Sequence, residues 1–311
     1  MIVAAISVMT RVGGLVRKVS ECLVCGATTL RVRRALVSPF LASRIWNRKV
    51  FSVELAECIA CGFAFYNPRL EPAEEQRLYA GYRTPAYQQM RYRFEPYYTE
   101  AFNANLFSEA AMVPRRQALR RILSPHLAGI QGYRILDFGG GRGELISNLI
   151  PGAVGYSYDV SDAEPVPGIR KLRSLAECKL HPYELIICSN VLEHVAFPRD
   201  VLRQVAALAA PGTLIFLEVP YEFPLGVRAK FGRILDELNL LLKRPRAGLG
   251  LIGRGMFHVM HEHVNFFCPT ALAQLAQHCG LPMQAGGEYS LEAKMLWALT
   301  RRSESGRLRE V

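Results

Sequence analysis

An α/β fold, a mainly parallel sheet flanked by helices with a small β-rich module ahead of it, is what this sequence predicts, on three observations. A short apolar strand at Arg134 to Phe138 runs into a glycine-rich turn and then an amphipathic stretch. Further on, YELIICSNVLEHV, PRDVLRQVAALAA and TLIFLEVP read as buried strand, helix and buried strand. Near the start, two C-x-x-C pairs, each followed by glycine, stand apart from everything else. At 311 residues, half of them apolar, the chain can bury a full core and has room for one large domain plus a small one.

Residues 1–20 open with the apolar run MIVAAISVM, which lacks a basic flank and a small-residue cleavage site. They read as an N-terminal extension rather than an export signal. No stretch approaches the roughly 20 apolar residues that span a bilayer. Eight cysteines do not suggest disulfides here, because four fall in the two pairs and Cys178, Cys188, Cys268 and Cys279 are scattered. Reduced thiols in the cytoplasm fit that usage.

Residues 21–69 form the predicted module. Cys22-Leu-Val-Cys25-Gly26 and Cys58-Ile-Ala-Cys61-Gly62 have the form of knuckle turns, in which backbone amides approach the sulfurs. Two knuckles make a four-thiolate tetrahedral site, which suits a structural Zn2+ and leaves no open position for catalysis. Four unliganded buried thiols are the alternative; a redox pair is disfavoured because neither C-x-x-C sits at the turn of a βαβ unit. Between the pairs, Lys49 to Ala56 (KVFSVELA) alternates as a strand does.

Residues 70–127 turn polar, aromatic and basic and predict helices between the two domains. Tyr79, Tyr82, Tyr87, Tyr92 and Phe94, interleaved with Arg83, Arg91 and Arg93, either clamp an aromatic or anionic substrate or pack a domain interface. The formal charge of +11 is concentrated in this half: residues 1–133 hold 18 Lys and Arg against nine Asp and Glu. An anionic partner would meet the protein there.

The main domain is expected over residues 128–301, with 302–311 as a tail. Its strongest signal is RILDFGGGRGELISNLI, in which Asp137-Phe138-Gly139-Gly140-Gly141-Arg142-Gly143 fits D-x-G-x-G-x-G. Glycine is needed there because a Cβ would block the approach of a ligand to the backbone at a helix N-terminus, and some positions need positive φ. The next strand ends in Asp159, 22 residues after Asp137, where a carboxylate can accept hydrogen bonds from ribose hydroxyls.

This motif, the LEH sequence after strand four and the Pro211-Gly212 turn before strand five together resemble the small-molecule branch of the class I S-adenosylmethionine-dependent methyltransferases. The resemblance covers roughly Tyr133 to Arg301 and implies a Rossmann-like, seven-stranded sheet. It also implies S-adenosylmethionine as cofactor, bound by Gly139, Gly141, Gly143 and Asp159, with Asp137 near its methionyl end and Asn190 and Val191 near the sulfonium. Glu193 and His194 face the substrate side in such enzymes, although His194 could instead cap its loop.

The segment Met260-His261-Glu262-His263-Val264-Asn265-Phe266-Phe267, with the knuckles upstream, resembles sugar C-methyltransferases of antibiotic and surface-polysaccharide pathways. Matched residue by residue, Glu262 and His263 fall on that family's acid/base pair, with His263 as the base and His261 beside them. Met260 and Phe266 stand where that family has tyrosines, so hydroxyl methylation stays open beside C-methylation. A packed, hydrogen-bonded turn is the plainer reading of the same residues; H-E-H lacks the i, i+4 spacing of a helical metal pair.

Between strand five and that turn, Phe223 to Arg254 reads as a lid, as core packing or as a face for the inner side of an anionic membrane. The leading expectation is methyl transfer to a small, sugar-like molecule. An RNA acceptor is the runner-up, disfavoured because Ser189-Asn190-Val191-Leu192 lacks the Asn/Asp-Pro-Pro-Tyr/Phe motif that holds a flipped base. A catalytically dead binding protein is third.

Overall fold

The computed structural model describes residues 18–82, 84–95, 98–127, 132–161, 163–222, 258–291 and 293–302. The expectations for residues 1–17, Arg83, the Phe223 to Arg254 lid and residues 303–311 lie outside the described residues. Among the described residues no helix is long and apolar enough to cross a membrane.

The chain begins with β1 (Leu30–Val37), α1 (Pro39–Trp46), β2 (Ser52–Cys58) and β3 (Ala64–Asn67). Four helices follow: α2 (Pro72–Tyr79), α3 (Pro85–Phe94), α4 (Glu100–Leu106) and α5 (Glu109–Leu123). Then come β4 (Arg134–Phe138), β5 (Val154–Tyr158), β6 (Ile169–Leu172), α6 (Leu175–Cys178), β7 (Leu185–Ser189), α7 (Pro198–Leu208) and β8 (Leu214–Pro220). The last elements are β9 (His258–Met260), β10 (Asn265–Phe266), α8 (Pro269–His278), β11 (Met283–Ser290) and β12 (Lys294–Arg301).

Seven strands form one sheet in the order β6-β5-β4-β7-β8-β12-β11. Neighbours from β6 to β8 are parallel, while β12 runs antiparallel to both β8 and β11. This is the Rossmann-like sheet expected from the sequence. All of β7 is buried, because alternate residues face two cores: Ile186 and Cys188 pack with α7 and α8, while Leu185 and Ile187 pack with α5. Strand order reverses between β4 and β7, which opens a crevice outside their carboxyl ends.

The sequence also predicts a helix after β4, and there the structure differs: residues 141–148 form consecutive turns. Gly143 at φ 76° and Asn148 at φ 56° leave only residues 144–147 between two left-handed positions, too short a run for the expected helix, and α5 holds the segment from outside. Arg116 donates to the Glu144 carbonyl at 2.9 Å, and Arg120 donates to the carbonyls of Leu149 (2.8 Å) and Asn148.

A second sheet has the order β10-β3-β2-β1-β9. Its outer strands come from the segment around residues 258–266, far away in sequence from the module. Met260 and Asn265 lie five residues apart, a reach of at most about 18 Å, against about 19 Å across five flat strands. The sheet therefore curls, and the Tyr66 hydroxyl on β3 reaches the Val259 carbonyl on β9 at 2.8 Å.

Candidate functional site

The glycine turn is built as its spacing requires. Gly139, Gly141 and Gly143 have φ of 75°, 55° and 76°, in the left-handed region that a side chain resists. A Cβ on Gly139 would lie 2.4 Å from Cγ2 of Val191. Asp159 receives the Gly141 amide at 2.9 Å and the Ser161 amide at 2.7 Å, which ties the turn to the end of β5. Two buried oxygens beside the turn, Oδ2 of Asp137 and Oδ1 of Asn190, have no hydrogen-bond partner among the described residues. Burial pushes the Asp137 carboxyl up to about 7.

From the Arg142 side of this turn a cavity of about 1350 Å³ runs past Ser161 and Glu164 to Tyr79, Tyr82 and His194. At its far end three segments meet. Asn265 donates to the carbonyls of Leu192 and Val195, both at 2.7 Å, and the Glu193 carbonyl accepts from the amides of Val264 and Asn265. Arg69, 1% exposed, locks the joint: it donates to the carbonyls of Tyr66, Val195, Ala196 and Val264 and to Oδ1 of Asn265. Burial lowers this guanidinium to about 9.

The joint sets His194 against His263, ring centroids 4.7 Å apart and nearly perpendicular. His194 Nδ1 lies 3.3 Å from the Glu262 carbonyl, and His263 Nδ1 lies 2.8 Å from the Glu222 carboxylate. Burial lowers His194 to about 3, which keeps it neutral. At His263 burial also works against the charge, but the Glu222 carboxylate outweighs it and raises the imidazole to about 9. Glu193 is 1% exposed and neither of its oxygens has a hydrogen-bond partner among the described residues; burial pushes its carboxyl up to about 7.

Of the expected acid/base residues, only His263 joins this cluster. The Glu262 carboxylate is turned away, bonded by the Tyr87 hydroxyl at 2.8 Å and by Arg91 at 2.7 Å. His261 is exposed and pairs with Glu95 at 3.3 Å. Arg91, which also bonds Glu95 at 2.5 Å and lies 3.8 Å over the Tyr98 ring, is the physical reason: it draws Glu262 and Glu95 into a buried ion-pair group. The aromatic segment accordingly divides. Tyr79 and Tyr82 line the cavity, Tyr87 and Arg91 pack in the interior, and Tyr92 and Phe94 are exposed. Arg69, Glu222 and Asn265 carry weight that the sequence motifs did not give them, whereas Glu193, expected on the substrate side, stands beside His194.

The four knuckle cysteines converge. Cys22 and Cys61 sulfurs are 3.6 Å apart, as are those of Cys25 and Cys58, and all four lie within 4.8 Å of one another. A tetrahedron with metal–sulfur bonds of about 2.3 Å sets its sulfurs about 3.8 Å apart. Gly26 and Gly62, both at φ 75°, close the two turns by donating to the carbonyls of Cys22 and Cys58 at 2.9 Å. The Cys61 thiol, together with amides of its own knuckle, holds Cys22 down at about 5.

A family model described as a methyltransferase domain matches residues 102–285. The ubiquinone biosynthesis O-methyltransferase of Aeromonas salmonicida is 25% identical over 169 residues, 49% of this chain and 64% of that protein. That of Nitrosospira multiformis is 28% identical over 172 residues, 50% of this chain and 66% of that protein. The match thus spans just under two thirds of either relative's length. Among solved structures, the 1,6-didemethyltoxoflavin N1-methyltransferase of Burkholderia thailandensis aligns over 81% of this chain and 96% of its own, at 14% identity and a TM-score of 0.48.

Proposed function

The chain belongs to the methyltransferase-domain family, and from that premise we propose that it transfers a methyl group from S-adenosylmethionine to a hydroxyl oxygen of a small, sugar-like acceptor. The observation that carries this reading is the cavity at the carboxyl edge of the sheet, which runs from the Arg142 side of the glycine turn to His194, whose ring meets that of His263. At about 1350 Å³ it has room for two small molecules end to end.

S-adenosylmethionine supplies an electrophilic methyl carbon, so the chain has to hold the cofactor, aim the acceptor oxygen and deal with its proton. The residues beside the turn fit that cofactor. Asp137 and Asn190 offer partnerless buried oxygens to its donors, and each Asp159 oxygen keeps a lone pair for a ribose hydroxyl. Gly139, Gly141 and Gly143 keep side chains off the turn, and Val191 backs Gly139. At the other end, positioning of the acceptor oxygen falls to His263, while Glu262 and His261 brace α3.

The relatives named O-methyltransferases favour oxygen over carbon as the acceptor atom. Tyr79 and Tyr82 give the cavity faces on which a sugar ring can stack, and the basic N-terminal half suits a diphosphate-linked sugar. A structural Zn2+ held by Cys22, Cys25, Cys58 and Cys61 would pin the base of the curled sheet on which β9 and β10 depend, in the reducing cytoplasm where thiolates persist. One zinc per chain, lost in Cys58→Ser, is the expected metal analysis.

Transfer of labelled methyl from S-adenosylmethionine into fractionated host extract tests the reading. Label in nuclease-resistant small or glycan material supports it. Label in RNA overturns it.

A further inference from the structure

Glu193 presents a physical problem. A carboxylate that is 1% exposed and receives no hydrogen bond on either oxygen from the described residues is among the costliest groups a protein can bury. Its surroundings answer with nitrogen. The Nε2 of His194 stands 3.9 Å from Oε1 of Glu193, and one ligand atom from each of Glu193, His194 and His263 lies within 4.8 Å of the others.

The two imidazoles are oriented as metal ligands are. An imidazole bound to a metal through one nitrogen characteristically has its other nitrogen on a carboxylate or a backbone carbonyl. Here Nδ1 of His263 is on the Glu222 carboxylate and Nδ1 of His194 is on the Glu262 carbonyl, so each ring's Nε2 is left for the cluster.

We propose that Glu193, His194 and His263 bind a first-row divalent cation at the acceptor end of the cavity. Two imidazoles and one carboxylate form a mixed nitrogen and oxygen set that suits Mn2+, Fe2+, Co2+ or Zn2+ and leaves coordination positions open. Binding requires the three side chains to close on the ion, since ligands at about 2.1 Å lie roughly 3–4 Å apart. His194 lines the cavity, so the open positions face the acceptor and take a pair of adjacent oxygens, as a vicinal diol provides. This last step rests on the methyl-transfer reading, whereas the ion site itself does not. The site differs from the Cys22, Cys25, Cys58 and Cys61 cluster in place and in ligand hardness, so Mn2+ discriminates between them.

The test is Mn2+ titration of protein carrying a single zinc per chain, the one held by the four thiolates, followed by electron paramagnetic resonance with thermal melting in parallel. One bound Mn2+ per chain is expected, with affinity at least tenfold weaker in Glu193→Gln and in His263→Gln. Mn2+ should raise the Tm of the parent protein and leave that of Glu193→Gln unchanged. Unchanged S-adenosylhomocysteine affinity in either variant certifies its fold. Absence of bound Mn2+ in the parent protein, or equal binding in a folded variant, overturns the site. The readout needs no turnover: bound Mn2+ without methyl transfer keeps the site and refutes the proposed activity, and undiminished transfer by protein that binds no Mn2+ does the reverse.

Discussion

At the glycine turn, one end of the cavity is made from a contiguous stretch, Asp137 to Gly143, whose shape is fixed by left-handed backbone and by the carboxylate of the next strand. At the other end, His194 comes from the loop after β7, His263 from between β9 and β10, and Glu222 from the end of β8. Nothing local holds these together. Arg69 and Asn265 do, through hydrogen bonds from side chains to carbonyls contributed by separate segments. A site made of backbone tolerates changes elsewhere in the chain, and one assembled by side chains fails when its fastener is lost.

Substitution of that fastener should have the largest effect. Arg69→Ala removes five donated hydrogen bonds from the buried joint and should cost roughly 3–5 kcal/mol in urea-denaturation stability. If residual folded protein keeps its cofactor affinity, the two ends are independent; parallel loss of both would break the contrast. Gly139→Ala acts at the opposite end. Its Cβ would meet Val191 at φ 75°, so cofactor affinity should fall by about tenfold or more, with zinc content unchanged, as read by calorimetric titration and metal analysis.

The third effect is a pH dependence. Burial raises Asp137 to about 7 in the folded protein, above its usual carboxylate value of 3.8. The native state therefore holds a proton that the unfolded chain has released, so Asp137 makes stability fall as pH rises from about 4 to 7. Asp137→Asn should gain on the parent protein across that window and keep a constant lead above it, in melts at matched ionic strength.

What the sequence made legible follows the same division. The sheet, β2, β5, β7, α7 and β8 appear where alternation and apolar runs point to them, because each depends on its own residues. The helix expected after β4 is absent because Gly143 and Asn148, both at positive φ, bracket a run too short to form it, and apolar periodicity does not register that. Among His261, Glu262 and His263, periodicity could not say which faces the cavity, since Arg91 and Glu95 decide it from α3 and its end. Arg69 was invisible for a related reason: its partners are mostly backbone carbonyls, which every residue has.

The most direct test compares S-adenosylmethionine affinity with methyl transfer for the parent protein and His263→Ala, using the acceptor fraction that takes up label. The expected result is cofactor affinity within about threefold of the parent and transfer reduced by at least a hundredfold, the size of effect seen when a group acting in the transition state is removed. Transfer at the parent rate in a variant that binds the cofactor normally would contradict the assignment of the acceptor end to His263.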